Sequence, residues 1–152
     1  MLKRTGIVAI LLSLALLISA CGNSETVQSP TKAELASRYG VEEEEIDAYH
    51  VLYPQIKAEG LITSDNFAEG RVMICVYQFA YEYSFHPSDF TEIGCATVED
   101  LIGPYEKQDH PTRWLILTLE DESKESVVDA IEILLERADI YCAEPDYIMS
   151  IS

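Results

Sequence analysis

Three consecutive pieces of the chain decide its fold: Arg113-Trp-Leu-Ile-Leu-Thr-Leu119, Ser123-Lys-Glu-Ser-Val127 and Ile140-Tyr-Cys-Ala-Glu-Pro-Asp-Tyr147. The first is rich in β-formers and apolar on both faces, so it reads as a strand. Ser123 then offers a helix N-cap. Val127, Ile131, Leu134 and Ala138 follow at helical spacing, and Val128 and Leu135 widen the stripe. The third piece, carried on to Ile148, reads as a closing strand. Strand, amphipathic helix, strand is half of an α+β layer.

Working outward toward the amino terminus, Arg71-Val-Met-Ile-Cys-Val-Tyr-Gln78 reads as a first strand and Ile93 to Leu101 as a second. Between them, Ser84 to Glu92 is broken by Pro87 and has room for only a short helical turn. The stretch from Gly103 to Thr112 holds Pro104 and Pro111 and reads as a loop. Further upstream, Thr31 with Glu34 forms a capping box for a helix that Gly40 stops. A second helix from about Glu42 places Ile46, Tyr49, Tyr53 and Ile56 on one face, with Pro54 as its breaker. The order of elements predicts an α+β domain with a helix on one sheet face, preceded by a short helical extension. Because Val72, Ile74 and Val76 alternate with Met73, Cys75 and Tyr77, one helix layer leaves a second apolar face. Either residues 31 to 60 or a partner must meet that face.

The amino-terminal end carries a separate message. Lys3 and Arg4 precede an uncharged apolar run from Ile7 to Ile18, shorter than the roughly 20 residues of a membrane span. Ile18-Ser-Ala-Cys21, followed by Gly22, resembles the lipobox of bacterial lipoproteins. That resemblance implies removal of residues 1–20 and lipidation of Cys21. The protein is then held on the outer face of the bacterial cell membrane by acyl chains, at about 0.8 kcal/mol per buried CH₂. Residues 22–30 are polar and read with Cys21 as a tether. What remains is 132 residues, enough for one domain.

Charge narrows the partners. The chain holds 27 acidic and 10 basic residues, a formal charge of −17 that becomes −19 once Lys3 and Arg4 are lost. Nucleic acid is thereby excluded as an expected partner, since phosphate binding needs basic residues. The run Glu42-Glu-Glu-Glu45 lacks the Asp-rich loop and turn glycine of a calcium site. Neither a metal nor any cofactor is expected. Cys75, Cys95 and Cys142 have no C-x-x-C spacing. One disulfide with a thiol left over, and three buried thiols, are equally open readings. His86-Pro-Ser-Asp89 and Asp109-His110 match no catalytic spacing, and no glycine-rich phosphate loop or nucleophile elbow is present. The sequence therefore predicts no enzyme.

The helix opening Ser123-Lys-Glu-Ser-Val127 and the strand containing Ala143-Glu-Pro-Asp-Tyr147 resemble the propeptide domains of subtilisin-like proteases, which also occur as free-standing inhibitors. The resemblance covers residues 62–152, leaving residues 31–61 as the helical extension. It implies a ferredoxin-like antiparallel sheet in the order 4-1-3-2. Pro87 and the short residue count leave little room here for the family's full helix between the first two strands. It further implies that the open sheet face meets two helices of a protease, with Glu144 or Asp146 aimed at their positive ends. The tail Ile148-Met149-Ser150-Ile151-Ser152 then lies in the substrate cleft as an added strand. Met149 falls at the fourth subsite and suits an apolar pocket; Ser152, at the first, is a poor occupant. The implied strand order makes Cys75 and Cys142 neighbours and a candidate disulfide, with Cys95 left over.

Two functions follow as expectations. One is a surface-anchored module that binds, inhibits or chaperones a subtilisin-type protease. The other is a non-inhibitory scaffold or adhesion module that retains only the fold. A transporter-type ligand-binding lipoprotein is disfavoured, because 132 residues cannot build two lobes around a cleft.

Overall fold

Ten residues from Phe67 to Val76 form the first strand, and the computed structural model builds the domain around it. The structure describes residues 28–57, 66–101 and 113–148. Its elements run α1 (Lys32–Tyr39), α2 (Glu43–Leu52), β1 (Phe67–Val76), β2 (Cys95–Asp100), β3 (Arg113–Leu119), α3 (Lys124–Leu134) and β4 (Ile140–Tyr147). The four strands make one antiparallel sheet in the order β2-β3-β1-β4. This is the expected 4-1-3-2 arrangement, a ferredoxin-like α+β fold.

β1 starts four residues earlier than its β-former run. The reason is Gly70, whose φ of +64° lets the chain kink and still pair. Its backbone lies so close to the loop after β3 that an added Cβ would stand 2.8 Å from Glu122 Cα. Between β1 and β2 the chain makes two short 3₁₀ stretches, Gln78–Ala80 and Pro87–Ile93, the second kinked at Phe90. The latter packs beside α3 and on β2, occupying the place of the missing first crossover helix. Arg113 fixes the intervening loop: its Nη1 donates to the carbonyls of Ala80, Tyr81 and Tyr83, and its Nη2 pairs with Asp100 at 2.7 Å.

α3 begins as expected, with Ser123 Oγ accepting from the Ser126 N–H at 3.1 Å. Its buried stripe is Val127, Ala130, Ile131 and Leu134, packed on β1 and β4. Each large member contributes about 1.5–3 kcal/mol by leaving water. The helix stops before Ala138, so that residue leaves the expected stripe and packs against α1 and α2 instead.

α1 carries the predicted capping box, Thr31 with Glu34, and ends at Gly40 in the left-handed region (φ +69°). α2 starts on the acidic run, which places Glu43, Glu44 and Glu45 in its first turn where the helix dipole favours them. It ends at Leu52, because a residue before Pro54 avoids helical backbone. The expected stripe is thereby cut short: Ile56 lies beyond the helix and donates its N–H to the Tyr141 carbonyl at 2.9 Å. The α1–α2 pair buries Leu35, Ala36 and Ile46 against Phe79 and Ala138, at the end of the sheet. Of the two coverings open for the second sheet face, residues 31–60 are described as far as 57, and these meet its Tyr77 end, where His50 stacks on the Tyr77 ring at 4.7 Å and the Tyr77 hydroxyl donates to the Tyr53 carbonyl.

Candidate functional site

Strand periodicity divides the sheet into two faces. Val72, Ile74 and Val76, with Leu115, Leu117, Leu119 and Ala143, point into the core beneath α3. The alternate residues share the opposite face: Met73 and Cys75 from β1, Trp114 and Ile116 from β3, Cys142 and Glu144 from β4. The register draws them into one patch, since Cys75 stands opposite both Trp114 and Cys142, and Met73 opposite both Ile116 and Glu144. Cys75, Ile116 and Cys142 are buried at its centre, and Met73, Trp114 and Glu144 are half-buried around them.

The two acids expected to face a partner differ in their surroundings. Asp146 already holds Arg71, with Oδ2 at 2.7 Å from Nε. Burial raises the Glu144 carboxyl above its ordinary value, so its charge is poorly solvated in this patch. Beyond Tyr147, Ile148 donates its N–H to Asn66 O at 3.1 Å and accepts from Asn66 Nδ2 at 2.8 Å. This clamp leaves the Ile148 side chain 53% exposed. Met149, Ser150, Ile151 and Ser152 lie outside the described residues, as do Cys21 and His110.

Cys75 and Cys142 are directly paired across β1 and β4, as the strand order implied, and both are free thiols. Cys95 is free as well. It sits on β2 and turns into the core under α3, where burial pushes its thiol up to about 11.

Other chemistry-bearing residues are occupied structurally. His50 Nε2 lies 2.7 Å from the Ala138 carbonyl. The His86–Asp89 spacing is explained by a cap: His86 N–H donates to Asp89 Oδ2 at 2.9 Å. Among the described residues no group of three His, Cys, Asp or Glu side chains could hold a metal ion. A cleft of about 470 Å³ between the α1–α2 pair and the β1–β2 connection is lined by Arg38, Tyr39, Tyr49, Phe79 and Tyr83 among others.

No family model, curated protein or solved structure matches this chain. The geometry therefore carries the functional reading by itself.

One constellation escaped the sequence. Arg137 is buried and grips Asp139 with both ends of its guanidinium, Nε to Oδ1 at 3.0 Å and Nη2 to Oδ2 at 2.8 Å. Its Nη1 meets Glu92 and the Asp89 carbonyl, and the guanidinium lies over the Phe90 ring at 4.7 Å. Burial opposes that charge, but Asp139 and Glu92 outweigh it and hold Arg137 above its ordinary value. Tyr39 of α1 donates to Asp139 at 2.5 Å, and burial with that carboxylate pushes its phenol up. The network ties the helical extension to the sheet domain. Arg137 alone, one basic residue after an amphipathic helix, gave no sign of it; an Arg-x-Asp pair before a strand is the only trace.

Proposed function

We propose that this protein is a lipid-anchored, extracytoplasmic protein-binding module that docks on a subtilisin-type serine protease. It does so through the sheet face opposite α3 and through the segment from Ile148 onward. The observation that carries the reading is the patch itself. Met73 and Trp114 stay half-buried beside the buried Ile116 on the sheet face opposite α3, and among the described helices α3 packs on the other face.

The chemistry of recognition follows from the positions. Two helices of the protease would lie across the patch, and the half-buried Glu144 would meet the positive end of one, where its charge regains favourable surroundings. Asp146 keeps Arg71, so Glu144 takes that role alone. Residues after Ile148 would continue in extended form into the protease cleft, binding by main-chain hydrogen bonds. At the other end, Cys21 supplies the membrane contact through its lipid. No helix among the described residues is long and apolar enough to cross a membrane.

The test is inhibition. A soluble form starting at Ser24 should slow a subtilisin-type protease, and deletion of residues 148–152 should abolish the effect. If the intact form is digested without slowing the enzyme, the inhibitor reading is lost and a scaffold or adhesion role with the same fold takes its place. Metabolic labelling with a fatty acid, lost in Cys21→Ala, tests the anchor separately.

A further inference from the structure

We infer that the cleft between the α1–α2 pair and the β1–β2 connection binds a small organic cation of the quaternary-ammonium type. This stands apart from the protease reading and survives its failure, because Met73, Trp114 and Glu144 do not line the cleft. Its volume of about 470 Å³ lies within the roughly 300–1,000 Å³ of small-molecule sites.

Aromatic rings make its wall. They run Tyr83, Tyr39, Phe79, Tyr49, with successive centroids 5.3, 5.6 and 5.5 Å apart. Successive rings meet at 89°, 53° and 62°, so the wall turns from ring to ring rather than forming one flat stack. All four stay half-buried. Their hydroxyls are committed elsewhere: Tyr39 donates to Asp139 at 2.5 Å, Tyr49 to Gln78 Oε1 at 3.1 Å and Tyr83 to Asp89 Oδ1 at 3.0 Å. These bonds hold the rings in place before any ligand arrives, which lowers the ordering cost of binding.

Charge selects the ligand's sign. An aromatic face attracts a cation lying within about 6 Å of the ring centroid. One ring of the wall already does so, with the Arg38 guanidinium 5.9 Å from the Tyr83 centroid. Asp89 meets that guanidinium at 3.4 Å, so Arg38 does not make the cleft basic. Glu45 and Glu82 line the cleft as well. Glu45 stands one turn before Tyr49 on the same face of α2. Burial and then the Glu45 charge raise the Tyr49 phenol, which shows that this carboxylate acts at the ring. Carboxylates beside ring faces favour a cation, and the chain's formal charge of −17 draws one in. Hydrogen bonding selects the type. A primary ammonium brings three N–H donors that need acceptors, and the phenols are already engaged with Asp139, Gln78 and Asp89. A quaternary ammonium has no N–H to satisfy and presents methyl groups to the rings.

The probe is choline, titrated by calorimetry into the full-length protein in nonionic detergent at constant ionic strength. Choline should bind one to one. Its uncharged isostere, with carbon in place of nitrogen, and its primary-amine analogue ethanolamine should each bind at least about tenfold more weakly. Phe79→Leu keeps apolar bulk but removes a ring, and should weaken choline about tenfold. Glu45→Gln should weaken it roughly threefold. Glu45 is exposed, so that variant and the titrations of the unmutated protein decide the matter even where Phe79→Leu fails to fold. Absence of binding at millimolar choline, equal affinity for the isostere or for ethanolamine, or unchanged affinity in folded Phe79→Leu or in Glu45→Gln would each overturn the inference.

Discussion

The two faces of the sheet are made from the same kinds of residue and end in different states. Beneath α3, Val72, Ile74, Leu115 and Leu117 meet Val127, Ile131 and Leu134, and every one of them is buried. On the other side Met73, Trp114 and Glu144 stop half-buried around the buried Cys75, Ile116 and Cys142. Glu144 apart, both sets are apolar. The difference is the partner: α3 is covalently bound to return across one face, while α1 and α2 are held at the end of the sheet. What holds them there is the ion network about Arg137, through Tyr39 and Asp139, together with the Arg38–Asp89 pair at 3.4 Å. A charged cluster therefore helps decide where the helical extension sits.

That cluster offers the hardest way to break the contrast. Arg137→Met should cost about 3–5 kcal/mol, because Asp139 and Glu92 are left buried without their cation. Urea unfolding monitored at Trp114 measures it. If the cost is near zero, the network is not what fixes the helical extension. Ile131→Ala beneath α3 should cost about 2–5 kcal/mol by cavity formation. On the open face, Met73→Ser should change stability by only about 1 kcal/mol or less, yet weaken protease inhibition about tenfold or more. Equal stability losses for Ile131→Ala and Met73→Ser would show that the two faces are equally packed and erase the comparison.

The smallest effect sharpens it through pH. Glu144 has a raised carboxyl in the folded state, so folding favours its protonated form. Its unfavourable contribution appears as pH rises from the unfolded value of 4.5 through the folded value, and is complete above that. Glu144→Gln should therefore stabilise the free protein slightly at neutral pH, with the gain vanishing below about pH 4.5. The same variant should weaken inhibition if that carboxylate meets a protease helix. A gain in stability without a loss of inhibition would remove Glu144 from the interface.

Much of the architecture was legible in local chemistry. The Thr31–Glu34 box, the Gly40 stop, the Ser123 cap and the alternation of β3 all specify structure within a few residues, and each appears in place. Misreadings arose where local signals met long-range ones. The stripe through Tyr53 and Ile56 ran past Pro54, the expected breaker, and α2 ends at Leu52, while Ala138 left the α3 face because the helix ended first. β1 began early because Gly70 permits a kinked extension that β propensity does not register.

What the sequence alone determined is the set of elements and their order, since caps, breakers and periodicity act between residues close in the chain. From these follows an α+β layer with a helix on one sheet face, to which the propeptide resemblance added the antiparallel strand order. The tertiary structure decided the rest. It placed Cys75 against Cys142 rather than Cys95, closed Arg137 over Asp139 and Glu92, and set the helical extension at the sheet's end. Apart from the Arg137–Asp139 pair, these depend on register and packing between residues tens of positions apart. A shift of one residue in either strand would send the same side chains to opposite faces.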